Sequence, residues 1–165
     1  MKLSLATATL ADAATLAALR TSAADHLTGL HGRGHWSSQV TEAGVLRGIK
    51  TSRVLVGRNR NVVVATLTLA TKKPWAIDVA YFTKVERALY LHDMAFAPSM
   101  QRRGIGRQMV EEATSIAQSW PADSIRLDAY DADAGAGGFY EKSGFREVGR
   151  VTYRNTPLVY YELVL

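Results

Sequence analysis

The stretch from Ala88 to Gln118 constrains the fold more than any other part of the chain. Ala88 to Phe96 has the length and composition of a strand, and five residues later the chain reads Gln101-Arg102-Arg103-Gly104-Ile105-Gly106-Arg107. A helical pattern covers Arg102 to Gln118, with Ile105, Met109, Val110, Ala113, Ile116 and Ala117 on one stripe. Glycines let backbone approach a ligand with no Cβ in the way. The free N–H groups of a first helical turn, at the positive end of the helix dipole, bind anions. Three arginines add the charge-assisted hydrogen bonds that phosphate oxygens favour. Residue by residue, the segment reads as a diphosphate cradle.

Spacing excludes two familiar phosphate motifs. Met109 stands where a dinucleotide fingerprint needs its third glycine, and the lysine-serine/threonine pair of a P-loop is missing. The near miss at Gly44-Val45-Leu46-Arg47-Gly48-Ile49-Lys50-Thr51 has the wrong spacing and no strand before it.

The rest of the chain alternates strands and helices. Leu3 and Leu5 suggest a short first strand, and Thr9-Leu10-Ala11-Asp12 a capping box with Asp in place of Glu. A helix is expected from Asp12 to about Leu27, a loop from Gly29 to Ser37, and a second helix capped by Ser38 and running to about Lys50. Arg53 to Arg58 and Asn61 to Thr71 read as a hairpin turning at Asn59-Arg60. Pro74 to Glu86 reads as irregular. Pro121 stops the long helix; Ser124 to Tyr130 follows as a strand, and Ala134 to Ser143 as a short helix ended by Gly144. Closing strands are expected near Phe145 to Arg154 and Leu158 to Val164. The class is α/β or α+β, in one domain spanning residues 1–165.

Composition narrows the function. With 47% hydrophobic residues among 165, the chain can bury a full core, and the absence of cysteine rules out disulfides and thiolate metal sites. The net charge of +5 suits an anionic ligand, but no basic run is interleaved with aromatics, so nucleic acid is not the expected partner. The longest apolar run, Val62 to Ala70, is too short to span a bilayer, and Met1-Lys2-Leu3-Ser4 lacks a signal-peptide pattern. A cytoplasmic protein without a membrane partner is the expectation.

Downstream lies Phe139-Tyr140-Glu141-Lys142-Ser143-Gly144-Phe145. Together with Gln-x-x-Gly-x-Gly, in this order of elements, it resembles the GNAT superfamily of acetyl-CoA-dependent N-acetyltransferases. The likeness is specific over residues 88–146. It implies a central, mixed, mostly antiparallel twisted sheet of about seven strands flanked by about four helices. It also implies acetyl-CoA as cosubstrate and no metal. Backbone groups of Met94, Ala95 and Phe96 would pair with the pantetheine arm like an added strand. Gln101, Arg102, Arg103, Gly104, Ile105, Gly106 and Arg107 would hold the pyrophosphate. Phe139 and Ala136 would line the cofactor site, and Asp133 stands where the family usually has Asn. Tyr140 matches the tyrosine that protonates the departing thiolate in many members.

An acceptor amine resembles Lys, with a pKa of about 10.4, and must lose a proton before it attacks a thioester. Histidine suits that task near neutrality. Alternation places Tyr90, His92 and Met94 on one face of their strand and Asp93 on the other. Arylalkylamine N-acetyltransferases, a branch of the family, resemble this chain in having a strand histidine nine residues before the loop, the offset from His92 to Gln101. Other members use a strand Glu or ordered water, so His92, Asp93 and water stay open as the base.

Other candidates are weaker. His31 and His35 have helical zinc-pair spacing but are separated by Gly32 and Gly34. In Asp131 to Lys142, Gly135 falls where a calcium loop needs an oxygen ligand and Lys142 replaces its closing Glu. Trp36, Trp75, Tyr81 and Phe82 are core aromatics or walls of an acceptor pocket. Loops near residues 28–50 and 72–87 would choose the acceptor, a small-molecule or peptide amine. Its identity, the acyl length and a homodimeric state stay open, and a non-catalytic CoA-binding sensor or interaction module is the alternative function.

Overall fold

A computed structural model describes residues 1–165. Seven strands form one sheet: β1 (Ser4–Thr7), β2 (Arg53–Asn59), β3 (Val62–Ala70), β4 (Ala88–Phe96), β5 (Ser124–Tyr130), β6 (Arg146–Tyr153) and β7 (Thr156–Val164). Four helices flank it: α1 (Ala13–His31), α2 (Glu42–Thr51), α3 (Ile105–Ser119) and α4 (Gly137–Lys142). The strand order is β1-β2-β3-β4-β5-β7-β6, and β4–β5 is the parallel pair among antiparallel neighbours. This is the mixed α/β architecture expected from the motif order. No helix is long and apolar enough to cross a membrane.

Each sheet face has its own core. Leu55, Leu67, Leu69, Leu89 and Leu91 pack against the Ile105, Met109, Val110, Ala113 and Ala117 stripe of α3, joined by Tyr140 and Phe145 near α4. On the other face, Val54 and Val56 meet Leu16 and Ala17 of α1 and Val45 of α2. A third cluster of Ile77, Phe82, Tyr90 and Tyr160 fastens the loop between β3 and β4 to that second face.

Several expected boundaries move, each for a local reason. Helix α1 runs through Gly29 to His31, and the chain turns at Gly32 instead, where φ is +79° and the N–H still bonds Thr28. Helix α2 is capped by Thr41, whose hydroxyl accepts from the Gly44 N–H at 3.1 Å, and not by Ser38. The first hairpin turns at Arg60-Asn61, one residue later than expected, with φ of 49° and 70°. The β6–β7 hairpin turns at Arg154-Asn155 in the same way, the positive-φ pair that matches strand twist in two-residue turns. Helix α3 starts at Ile105 because Arg102 and Gly104 both have positive φ. Helix α4 starts at Gly137, after a turn closed by the Gly135 N–H on Ala132.

The largest departure lies inside β4. Thr66 pairs with Ala95 and Thr68 with His92, so β4 spends three steps where β3 spends two. The bulge carries Asp93 at φ +54°. It breaks the expected alternation. Met94 packs with Leu89 and Leu91 on the α3 face, opposite His92, and Asp93 folds back toward His92 rather than pointing away.

Buried Glu162 of β7 secures the β3–β4 loop. It accepts from the Thr83 N–H at 3.0 Å, the Thr83 hydroxyl at 2.6 Å and Arg146 at 2.6 Å. Burial alone would raise its carboxyl, but the bonds from Thr83 and Arg146 outweigh this and hold it below its ordinary 4.5. Its stabilising contribution is therefore complete above that value and fades as pH falls through the lower, native one. We expect Glu162→Gln to lose about 1.5–3 kcal/mol of unfolding free energy at pH 7 in urea titrations. The wild-type advantage over this variant should shrink on acidification.

Candidate active site

Strands β4 and β5 pair only through Ala88–Ser124, Leu89–Ile125 and Tyr90–Arg126. Beyond that point they part, and a cavity opens on each side of the fork. The larger, about 950 Å³, lies between the free edge of β4, the α3 N-terminus and α4. The second, about 460 Å³, lies under the β3–β4 loop and the end of α2.

The first cavity collects most of the expected cofactor residues. Met94, Ala95, Phe96, Gln101, Arg102, Gly104, Ile105, Gly106, Arg107, Ala136, Phe139 and Tyr140 line it. Arg103 and Asp133 do not; both are exposed outside the lining. None of the N–H groups from Arg102 to Arg107 donates to another protein group, which leaves a row of free donors of the kind that can bind an anion. A Cβ on Gly106 would lie 2.8 Å from Phe139 and 3.3 Å from Phe96, so glycine lets these rings close on the helix start. Arg107 pairs with Glu111 at 2.8 Å on the surface of α3. Ala23 and Leu27 of α1 complete the wall and carry no chemical signal in the sequence.

Tyr140 is buried, ringed by Phe139, Phe145 and Tyr161, and its hydroxyl lies 3.5 Å from Met94 Sδ. Burial first, and the charge of Asp128 second, push the phenol well above its ordinary value of 10.0. It therefore keeps a proton to give.

His92 faces the second cavity, not the first. Its Nδ1 lies 2.9 Å from Asp93 Oδ2, while Asp93 Oδ1 meets Arg20 of α1 at 2.7 Å. Burial by itself would raise the Asp93 carboxyl. The His92 hydrogen bond and the charges of Arg20 and His92 outweigh it and hold Asp93 below its ordinary 3.8. An ionised Asp93 can accept from Nδ1 in the tautomer that carries its proton there, and no protein group hydrogen-bonds Nε2. The strand bulge creates this contact, so strict alternation could not foresee it. Asp128 of β5 also lines the cavity, and burial raises its carboxyl against the opposing charge of His92. The sequence carried a signal for it: Arg126, Asp128 and Tyr130 alternate with Ile125, Leu127 and Ala129.

Of the aromatic candidates, Trp75 lines this cavity. Phe82 is core, Tyr81 packs on Tyr160, and Trp36 packs on Tyr130. His35 bonds Thr156, and no group of three or more His, Asp or Glu side chains is gathered to hold a metal.

A family model for the acetyltransferase (GNAT) family matches residues 23–145, from α1 to the residue before β6. The chain belongs to this family. Solved structures of the GNAT fold superpose along its whole length. The yncA protein of Salmonella typhimurium, with its cofactor acetyl-CoA, is 17% identical at a TM-score of 0.73, covering 99% of this chain and 94% of its own. A ribosomal-protein-alanine N-acetyltransferase from Brucella melitensis is 18% identical at 0.76, covering 99% and 100%. The paiA N-acetyltransferase from Thermoplasma acidophilum, in complex with coenzyme A, is 13% identical at 0.75, covering 99% and 100%. A search of curated proteins by sequence gave no significant match.

Gly104 sits at φ +74° with nothing within 4 Å of where a Cβ would sit, so its constraint is backbone conformation alone. Gly104→Ala should cost about 1–2 kcal/mol in urea unfolding. Gly138→Ala in α4, also with open space but without positive φ, should be neutral or stabilising.

Proposed function

We propose that the protein, with residues 1–165 acting as one domain, transfers acetyl from acetyl-CoA to a primary amine by direct attack in a ternary complex. The observation that carries this reading is the fork between β4 and β5. It has a donor-rich cleft with Tyr140 on one side and a cavity with His92 on the other. Family membership supports acetyl transfer, and the solved relatives with acetyl-CoA or CoA support the cosubstrate.

Acetyl-CoA fits the first cavity by its own chemistry. The free N–H groups of Arg102 to Arg107 would hold the pyrophosphate, with Gln101 beside them and Arg103 and Asp133 at the outer rim. The edge of β4 at Met94, Ala95 and Phe96 would take the pantetheine amides as an added strand. Phe139 and Ala136 give the arm an apolar wall. His92 Nε2 takes the proton that the ammonium gives up, either directly or through water. The freed nitrogen forms the new bond to the acetyl carbon as the carbon–sulfur bond breaks. The Tyr140 hydroxyl supplies a proton to the departing sulfur. The proton that the acylated nitrogen must still lose to become an amide returns through water to the Tyr140 phenolate, so the one net proton released is the one on His92. Asp93 and Arg20 are positioning residues that hold the imidazole.

Thiol release from acetyl-CoA over a panel of primary amines tests this reading. His92→Ala should lower kcat/KM by about 10²–10⁴-fold and remove the acidic limb of its pH profile, the fall in activity as the base becomes protonated. Tyr140→Phe should lower kcat with little change in KM for acetyl-CoA. Activity and pH dependence unchanged in both variants would refute the assignment. A Tm raised by acetyl-CoA without turnover of any amine would instead identify a CoA-binding module.

A further inference from the structure

The second cavity contains an uneven set of charges. Its buried floor is Ala70, Ile77 and Leu91, with His92 and Asp128 half-buried beside them. Lys72, Lys73 and Trp75 stand exposed at its rim, Trp75 with 81% of its surface open. None of the ion pairs in the structure engages Asp128, Lys72 or Lys73. Lys73 is held by the carbonyls of Pro74 and Ile77, which fixes its ammonium on the loop wall, while Lys72 makes no hydrogen bond. The site thus presents one unpaired carboxylate in its depth and two uncompensated ammonium groups on one wall.

Charged groups lining a partly desolvated cavity are offset by opposite charge on what binds there. We infer that the acceptor is an amine carrying an acidic group, a carboxylate or phosphate, rather than a diamine or polyamine. Its ammonium sits at Asp128, beside the free nitrogen of His92, and its anion faces Lys72 and Lys73. Its apolar body spans Ile77, Leu91 and Trp75. A second ammonium in place of the anion would meet like charge on the lysine wall. This inference rests on the acetyl-transfer reading for its chemistry but makes a separate claim about charge.

Matched probes of one chain length test it: 4-aminobutyrate, butylamine and 1,4-diaminobutane, with 3-aminopropyl phosphate as the phosphate arm. In thiol-release assays, 4-aminobutyrate or the aminopropyl phosphate should exceed 1,4-diaminobutane in kcat/KM by about fivefold or more. The difference between the two acidic arms identifies the preferred anion. Lys72→Glu should erase or reverse that preference, mostly through acceptor KM. Asp128→Asn should weaken all amines alike. Titration of the CoA-bound protein, read by the Trp75 indole NMR signal, reports occupancy without turnover. Stronger perturbation by the acidic amines with no acetyl transfer would sustain the charge preference and refute the acetyltransferase reading. Equal or better use or binding of 1,4-diaminobutane by the wild type overturns the inference. So does a preference that Lys72→Glu leaves unchanged.

Discussion

Between His92 and Ala95, strand β4 fits one residue more than β3 needs, and the arrangement of the candidate site follows from that surplus. A bulge bends its strand and re-aims the side chains around it. Here it puts Met94 on the α3 face with Leu89 and Leu91, while His92 stays on the other. Pairing between β4 and β5 ends two residues before the bulge, at Tyr90 and Arg126. The diverging strands leave a free backbone edge, with one cavity lined by Met94, Ala95 and Phe96 and another lined by His92 and Asp128.

The supporting parts divide their work between these two cavities. On one side, Gly104 adopts the left-handed turn and Gly106 admits Phe96 and Phe139, so the first turn of α3 presents N–H groups with no protein acceptor. On the other side, Asp93 at positive φ bridges Arg20 of α1 to His92. Burial and the charge of Asp128 keep the Tyr140 phenol protonated, while Asp93 stays ionised beside the imidazole. Groups suited to accept and to donate a proton thus stand in separate environments, which is how acid and base roles coexist near neutral pH.

Much of the frame was legible from residue order. Ala88–Phe96 and Ser124–Tyr130 are strands as read, and the apolar stripe of α3 is the buried one. Boundaries moved where two residues could serve the same local purpose. Gly29 and Gly32 could each end α1, and Ser38 and Thr41 could each cap α2; in the structure the chain turns at Gly32 and caps with Thr41. Within the candidate site, the placing of Tyr140 and the glycine loop around one cavity was legible because each belongs to a local motif. Asp128 and Arg20 were not singled out, since their roles depend on which distant element they face.

The sequence by itself determined the alternation of elements, the glycine-paired start of α3 and the Tyr140 helix, because each depends on neighbours within a few residues. Tertiary structure decided which face of β4 each side chain takes, since a bulge is a mismatch between two strands and belongs to neither alone. It also decided that His92 would meet Asp93 and Arg20, and that Lys72, Lys73 and Asp128 would share one cavity. Arg20 lies on α1, Asp128 on β5 and the two lysines on the β3–β4 loop, all apart from His92 and Asp93 on β4, so these groups meet only once the sheet has brought the elements together.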